Sequence, residues 1–138
     1  MNLDRLKARL SIDEGNKAKP YTDTVGKLTI GVGRNLTDRG LSPDEVNYLL
    51  ANDIAIATSD AKKLVTGFDS LDDVRQEVLV NMSFNLGIDR LRGFKKFIAA
   101  VNTKDFAKAS AEMLDSLWAK QVGARANRLS KAMLTGSF

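Results

Sequence analysis

A change of residue periodicity between residues 12 and 34 constrains the fold more than any other feature of the sequence. Three leucines at helical spacing predict an amphipathic helix over residues 3–14, and Gly15 is the residue type that commonly ends such a helix. After a polar linker, the residues of a turn at 22–27 lead into an apolar, glycine-punctuated stretch at 28–33. We therefore predict a helix followed by a small hairpin or three-stranded sheet.

The rest of the chain has helical patterns. Ser42 and Glu45 match a capping box, with Pro43 at the first helical position, and predict a long helix over about residues 43–66 that ends near Gly67. Ser70 with Asp73 is predicted to open the next helix, which Gly87 ends. Further helices are predicted over 93–101, from a Thr103 cap to about 117, and over 122–134.

These elements predict an α+β fold for the whole chain, residues 1–138, as one domain. A small β-containing lobe covers about 13–45, and the long helix at about 43–66 connects it to the remainder. The helical lobe covers about 67–138 and takes in the first helix, 3–14. Residues 35–41 are expected to form a loop.

Composition excludes several kinds of chemistry. The chain has no cysteine and no histidine, which rules out disulfides, thiolate nucleophiles and serine–histidine triads. A zinc site would have only carboxylates as ligands, and we expect no metal site. The net charge is +4, a mild excess that suits an anionic polymer. Charged residues near the start interrupt any apolar run, so we expect no signal peptide and no membrane span.

Two carboxylates and a hydroxyl near the first helix are candidates for acid–base chemistry. Glu14 is expected at a helix C-terminus, where the macrodipole disfavours negative charge and favours the protonated acid. Asp23 lies in a polar turn where it can stay ionised, and Thr29 follows in the predicted strand. Hydrolysis of a glycosidic bond needs such a pair, one acid and one carboxylate in different surroundings. Spacing alone is also compatible with solvated charges, because the chain has 17 acidic residues.

The order of these residues resembles a known family. Glu14, eight residues, Asp23, five residues and then Thr29-Ile30-Gly31-Val32-Gly33 is similar to the phage-type lysozymes of glycoside hydrolase family 24, which carry a Glu–Asp–Thr triad at this spacing. The likeness continues downstream and covers nearly the whole chain. It includes Phe84, Gly87, Gly93-Phe94, Trp118, Gln121, Arg125, Arg128 and Thr135-Gly136.

The resemblance implies a role for each matching residue. Glu14 would be the general acid, Asp23 would activate a water or stabilise the cationic transition state, and Thr29 would hold that water. Phe84 matches a substrate contact, and Arg125 matches an arginine that reaches the catalytic glutamate and is expected chiefly to orient it. Phe84, Arg125 and Asn35 are the predicted substrate-binding residues.

Four positions depart from the family pattern. Arg34 stands where the family has histidine, so its ion pair must differ. The family's substrate contacts at three other positions are replaced here by Asn35, Phe97 and Glu112. The sequence therefore does not decide whether these three residues contact the sugar.

The family further implies an endolysin, a muramidase that cleaves the bond between N-acetylmuramic acid and N-acetylglucosamine in bacterial peptidoglycan and lyses the host. Such an enzyme needs no cofactor, binds no nucleic acid, does not insert stably into membranes and acts as a monomer. It would remain in the host cytoplasm until a holin-type protein permeabilises the membrane and gives it access to the cell wall.

Other functions remain open at this point. A lytic transglycosylase needs only one acid/base glutamate, so an indispensable Asp23 would argue against it. A basic helical nucleic-acid-binding protein would need a positive stripe, whereas the basic residues here alternate with acidic ones. The third alternative is a catalytically inactive wall-binding module.

Two features of the sequence each have two explanations. Trp118 could line a sugar site or belong to the core, and the basic residues between Arg90 and Lys96 could bind an anionic polymer or simply face solvent.

Overall fold

The computed structural model describes every residue from Met1 to Phe138 and has the predicted α+β composition, eight α-helices and one small antiparallel sheet. The elements follow one another in this order: α1 (Leu3–Glu14), β1 (Lys17–Thr22), β2 (Leu28–Gly31), β3 (Arg34–Asn35), α2 (Pro43–Leu64), a 3-10 turn (Phe68–Ser70), α3 (Asp73–Leu86), α4 (Ile88–Arg92), α5 (Lys95–Asn102), α6 (Phe106–Leu114), α7 (Leu117–Val122) and α8 (Ala124–Thr135).

The chain divides into two compact units, Met1–Tyr48 and Leu49–Phe138, and the boundary falls within α2. We call them the N-terminal unit and the helical unit. The N-terminal unit holds α1 and the sheet, and the helical unit holds α3 to α8. No helix in either unit combines the length and the apolar character needed to cross a membrane.

The sheet has the strand order β1-β2-β3, with β2 in the centre. Thr29 of β2 lies opposite Tyr21 of β1 on one side and Asn35 of β3 on the other. The prediction of a polar linker at 16–20 was wrong, because Lys17–Thr22 form the strand β1. The loop predicted from Asn35 begins one residue later, because Arg34 and Asn35 form β3. The residues of β1 and β3 show no apolar alternation, and backbone pairing with β2 makes them strands.

The long helix α2 begins as its sequence predicts. The Ser42 backbone N–H donates to Glu45 Oε1 at 2.9 Å, and the Glu45 N–H donates to Ser42 Oγ at 3.2 Å. These reciprocal bonds form the capping box, which satisfies two of the backbone donors that a helix start leaves free. The helix ends at Leu64, close to the predicted end.

The core of the helical unit consists of apolar side chains from α2 to α8. Its largest fully buried members are Phe97, Leu79, Met82, Leu91, Met113, Met133, Val65, Val78 and Val101. Trp118 is 2% exposed and belongs to this core, packing edge-on against Phe94, so it lines no sugar site on the surface. Its indole N–H donates to Asn85 Oδ1 at 2.8 Å.

Two predicted helix caps in this unit were wrong. Asp72, not Ser70, caps α3, since its carboxylate accepts the Arg75 N–H at 3.0 Å. Asp105, not Thr103, caps α6 by accepting the Lys108 N–H at 3.1 Å. The Thr103 hydroxyl instead donates back to the last turn of α5, whose end is also marked by the positive φ of Lys104, 57°. The short helices α4 and α7 were not predicted.

Arg75 joins the beginning of α3 to the end of α8. Its Nε donates to Met133 O at 2.7 Å, and its Nη2 donates to Leu134 O at 2.9 Å. Its guanidinium also lies 3.7 Å from the centre of the Phe106 ring on α6. A Cβ at Gly136 would lie 3.0 Å from Arg75 Nη1, so the glycine that ends α8 leaves the space this group needs.

Candidate active site

Asp23 is held by the turn that precedes β2. Its Oδ1 accepts the Val25 N–H at 3.0 Å and the Lys27 N–H at 2.8 Å, while its own backbone N–H donates to Lys27 O at 2.9 Å. No donor of the N-terminal unit bonds to Oδ2. One carboxylate oxygen therefore fixes the turn, and the other is available to a water molecule or a ligand.

Thr29 is linked to this turn through the same lysine. It is 4% exposed, and its Oγ1 donates to Lys27 O at 3.0 Å, the carbonyl that also accepts the Asp23 N–H. Because the hydroxyl proton is used in that bond, the lone pairs of Oγ1 can accept a hydrogen bond from a water molecule. Lys27 thus sets the positions of Asp23 and Thr29 through its backbone alone.

Glu14 is the last residue of α1 and reaches the other end of β2. A Cβ built on Gly33 would lie 3.4 Å from Glu14 Oε2, so the carboxylate lies along the backbone of the turn between β2 and β3. Gly33 has φ +74°, which disfavours other residues there. The structure therefore places all three residues around β2: Asp23 before it, Thr29 within it and Glu14 beside its end.

Arg34 and Asn35 of β3 are engaged in local contacts. Arg34 Nη1 lies 2.6 Å from Glu45 Oε2, and this arginine, with Ser42, lowers the pKa of Glu45 to about 2. The same hydrogen bond raises the pKa of Arg34. The Asn35 amide bonds to Asp38 in both directions, as donor at 3.0 Å and as acceptor at 2.9 Å. Its predicted role as a substrate contact stays a prediction.

The other two predicted residues, Phe84 and Arg125, lie in the helical unit and line one cavity of about 680 Å³. The Phe84 ring is 45% exposed. Arg125 donates to Asn81 Oδ1 with both Nε, at 2.9 Å, and Nη2, at 2.6 Å. The structure thus brings Phe84 and Arg125 together and adds Asn81, which the sequence analysis missed.

Phe97 and Glu112, the remaining departures from the family pattern, line a second cavity of about 310 Å³ in the helical unit. Phe97 is 1% exposed and contributes chiefly to the core. The basic residues between Arg90 and Lys96 do not act as one group, since Arg92 pairs with Asp89 and Arg90 bonds to Gln121. No three acidic side chains come together as a metal site would require.

Two residues that organise the site could not be recognised from their type. Lys27 acts through its backbone, which any residue carries. Asn81 lies three positions before Phe84 and so shares its helix face, a spacing that could have indicated it.

Comparison with known proteins gives a consistent assignment. The sequence profile of the phage lysozyme family matches residues 11–132. The chain is 28% identical to "Probable T4-type lysozyme 1" of Dictyostelium discoideum, over 96% of this chain and 95% of that protein. It is 29% identical to "Probable T4-type lysozyme 2" of the same organism over the same shares. It is also 29% identical to the "Pre-baseplate central spike protein Gp5" of Enterobacteria phage T4, over 91% of this chain and 27% of that protein.

Proposed function

Because the chain belongs to the phage lysozyme family, we propose that it hydrolyses the β-1,4 bond between N-acetylmuramic acid and N-acetylglucosamine. Membership makes the protein a lysozyme-type muramidase, a glycoside hydrolase whose substrate is peptidoglycan. The observation that carries the finer assignment is the grouping of Glu14, Asp23 and Thr29 around β2.

In the proposed reaction, Glu14 gives its proton to the glycosidic oxygen as the bond between that oxygen and the anomeric carbon breaks. As that bond breaks, a water molecule between Asp23 Oδ2 and Thr29 Oγ1 attacks the anomeric carbon and gives its proton to Asp23. This single displacement requires the two carboxyl groups to stand roughly 6.5–9.5 Å apart, to leave room for the water. If Asp23 were the nucleophile instead, the wild-type enzyme would form a covalent adduct on it.

Replacement of Glu14 tests the proposed acid. Glu14→Gln removes the transferable proton and preserves the size of the side chain, so we expect the rate of wall hydrolysis to fall on the order of 10²–10⁴-fold with unchanged thermal stability. Asp13→Asn is the matched control, since Asp13 is the exposed acidic neighbour on the same helix. We expect it to keep wild-type activity. Turnover of Glu14→Gln within a few-fold of wild type would refute the assignment.

The reaction products separate the hydrolase from a lytic transglycosylase. Mass spectrometry of digested peptidoglycan should find reducing muramic acid ends, because water is the acceptor. Anhydro ends, with activity retained in Asp23→Asn, would identify a transglycosylase. Asparagine keeps the Oδ1 acceptor for Val25 and Lys27, so that variant changes the charge and not the turn.

For the biological role we propose a monomeric endolysin that waits in the host cytoplasm until a holin-type protein opens the membrane. The family assignment supports this role, and the likeness to a baseplate spike protein favours a second one, a wall-cutting domain of a virion. Expression of the protein in a bacterium tests the endolysin role. Cells should stay intact until the inner membrane is permeabilised, and the purified protein should sediment as a monomer. Recovery of the protein from purified virions would instead favour the role of a wall-cutting virion domain.

A further inference from the structure

Arg125 is held by an amide and not by a carboxylate. Its Nε and Nη2 atoms both donate to a single oxygen, Asn81 Oδ1, and both residues line the cavity of about 680 Å³. Two donors of one rigid guanidinium on one acceptor fix the plane of the group, which a single bond would leave free to rotate.

The charge of this arginine is left uncompensated within the helical unit. Asn81 is neutral, and Arg125 forms no ion pair with any acidic residue of the unit. The other charged residues that line the cavity are Lys62, Asp69 and Glu77; Lys62 is paired with Asp69, and Glu77 forms no ion pair. The guanidinium therefore has no ion-pair partner in this unit and keeps its remaining N–H donors for a ligand.

We propose that Asn81 is a positioning residue: it orients Arg125 for the reaction while leaving the arginine's charge and free donors available to an anionic or oxygen-rich group. This rests on the proposed function and on the role that the family resemblance implies for Arg125, which is that of a substrate-binding residue. An aspartate at position 81 would hold the guanidinium equally well, but it would neutralise the charge that the reaction needs.

The matched control for Asn81 is Asn85, one turn further along α3. Each asparagine accepts a hydrogen bond through Oδ1 from a side chain of a later helix, Asn81 from Arg125 and Asn85 from Trp118. Asn81→Ala and Asn85→Ala should therefore lower the melting temperature by similar amounts. On a soluble peptidoglycan fragment, Asn81→Ala should lower kcat/KM roughly 10- to 100-fold, as displacement of a positioned group can. Asn85→Ala should stay within about three-fold of wild type.

A third variant separates orientation from charge. Asn81→Asp keeps the two-donor contact, so its melting temperature should equal or exceed that of wild type, yet its kcat/KM should fall at least about ten-fold because Arg125 becomes part of an ion pair. Full activity in Asn81→Asp would overturn the proposal that Arg125 must keep its charge.

A double-mutant cycle shows whether Asn81 acts through Arg125. Asn81→Ala should change kcat and KM in the same proportion as Arg125→Ala, and it should have no further effect in an Arg125→Ala background. Additive effects, or equal activities of Asn81→Ala and Asn85→Ala, would overturn the positioning role while wild-type cleavage still supported the proposed function. An inactive wild-type protein would refute both.

Discussion

At the scale of single residues, the site is built more by backbone than by side chains. Lys27 gives its N–H to the Asp23 carboxylate and its carbonyl to both the Asp23 N–H and the Thr29 hydroxyl. Because these bonds join different pairs of atoms, removal of the Thr29 hydroxyl should leave the two bonds between Lys27 and Asp23 in place. The hydroxyl of Thr29 can therefore be tested without loss of the turn.

We predict that Thr29→Val folds normally and loses most of its activity. Valine has the shape and strand preference of threonine, and the Lys27 carbonyl keeps its bond from Asp23, so the free energy of unfolding should change by only about 1 kcal/mol. Thr29→Ser, which keeps the hydroxyl, should recover activity. Activity is measured as the rate of wall clearing, and stability is measured from melting curves. If Thr29→Val keeps full activity, the Thr29 hydroxyl has no role in the mechanism.

A residue's role can be predicted from the sequence when its hydrogen-bond partners lie close to it in the chain. The prediction fails when the partners lie far apart in the chain. Ser42 and Glu45 were recognised as a capping box because both partners lie within four residues, and the helix ends at Gly15 and Gly87 were recognised because glycine accepts their positive φ. The contact of Arg125 with Asn81, 44 residues away, depends on how α3 and α8 pack.

At the scale of elements, an ion pair joins β3 to the start of α2. Arg34, together with the hydrogen bonds of Ser42, lowers the pKa of Glu45 from 4.5 to about 2, so the ionised carboxylate stabilises the folded state fully above about pH 4.5 and loses that effect as the pH falls towards 2. We predict that the melting temperature of wild type exceeds that of Glu45→Gln near neutral pH and that the difference vanishes near pH 2. Glutamine keeps the capping box, so only the charge changes.

Asp44→Asn is the control for this pH dependence, since Asp44 lies in the same helical turn and forms no ion pair. The difference in melting temperature between wild type and Asp44→Asn should not change with pH in the way expected for the titration of Glu45. If the difference in melting temperature between wild type and Glu45→Gln stays constant from pH 7 to pH 2, the ion pair contributes nothing to stability.

The contacts of Arg75 connect three helices of the helical unit, and they predict a large loss on substitution. Arg75→Met removes the donors to Met133 O and Leu134 O, so the free energy of unfolding in urea should fall by about 2 kcal/mol or more. Arg92→Met breaks an exposed pair with Asp89 and should cost less than about 0.5 kcal/mol. Equal losses in the two variants would contradict the role of Arg75.

The missed elements have a common physical cause. β1 is polar along most of its length, and β3 has only two residues, so neither shows the alternation that indicates a strand. The helices α4 and α7, of five and six residues, are too short for a helical period to repeat. A long capped helix such as α2 can be recognised from its own sequence, whereas β1 and β3 depend on backbone bonds to β2, and α4 and α7 depend on the burial of Leu91 and Trp118 in the core.

At the scale of the whole molecule, the net charge of +4 should help the protein reach an anionic cell wall. We predict that the rate of wall hydrolysis falls several-fold when the ionic strength rises from about 0.02 M to about 0.5 M, because salt screens charges beyond a few ångströms. The cleavage of a short soluble peptidoglycan fragment, which carries few of the charges of the whole wall, is the control and should change less. Equal salt dependence on the two substrates would assign the effect to the active site.

The contacts of Arg75 also affect how the helical unit can open. They join residues 58 and 59 positions apart, so the first turn of α3 and the last turn of α8 hold each other. A terminal helix ordinarily frays first, but here it cannot peel away unless the start of α3 also gives up its contacts. Most of the helical unit should therefore unfold as one cooperative unit, with the slowest amide hydrogen exchange shared between its earliest and latest helices.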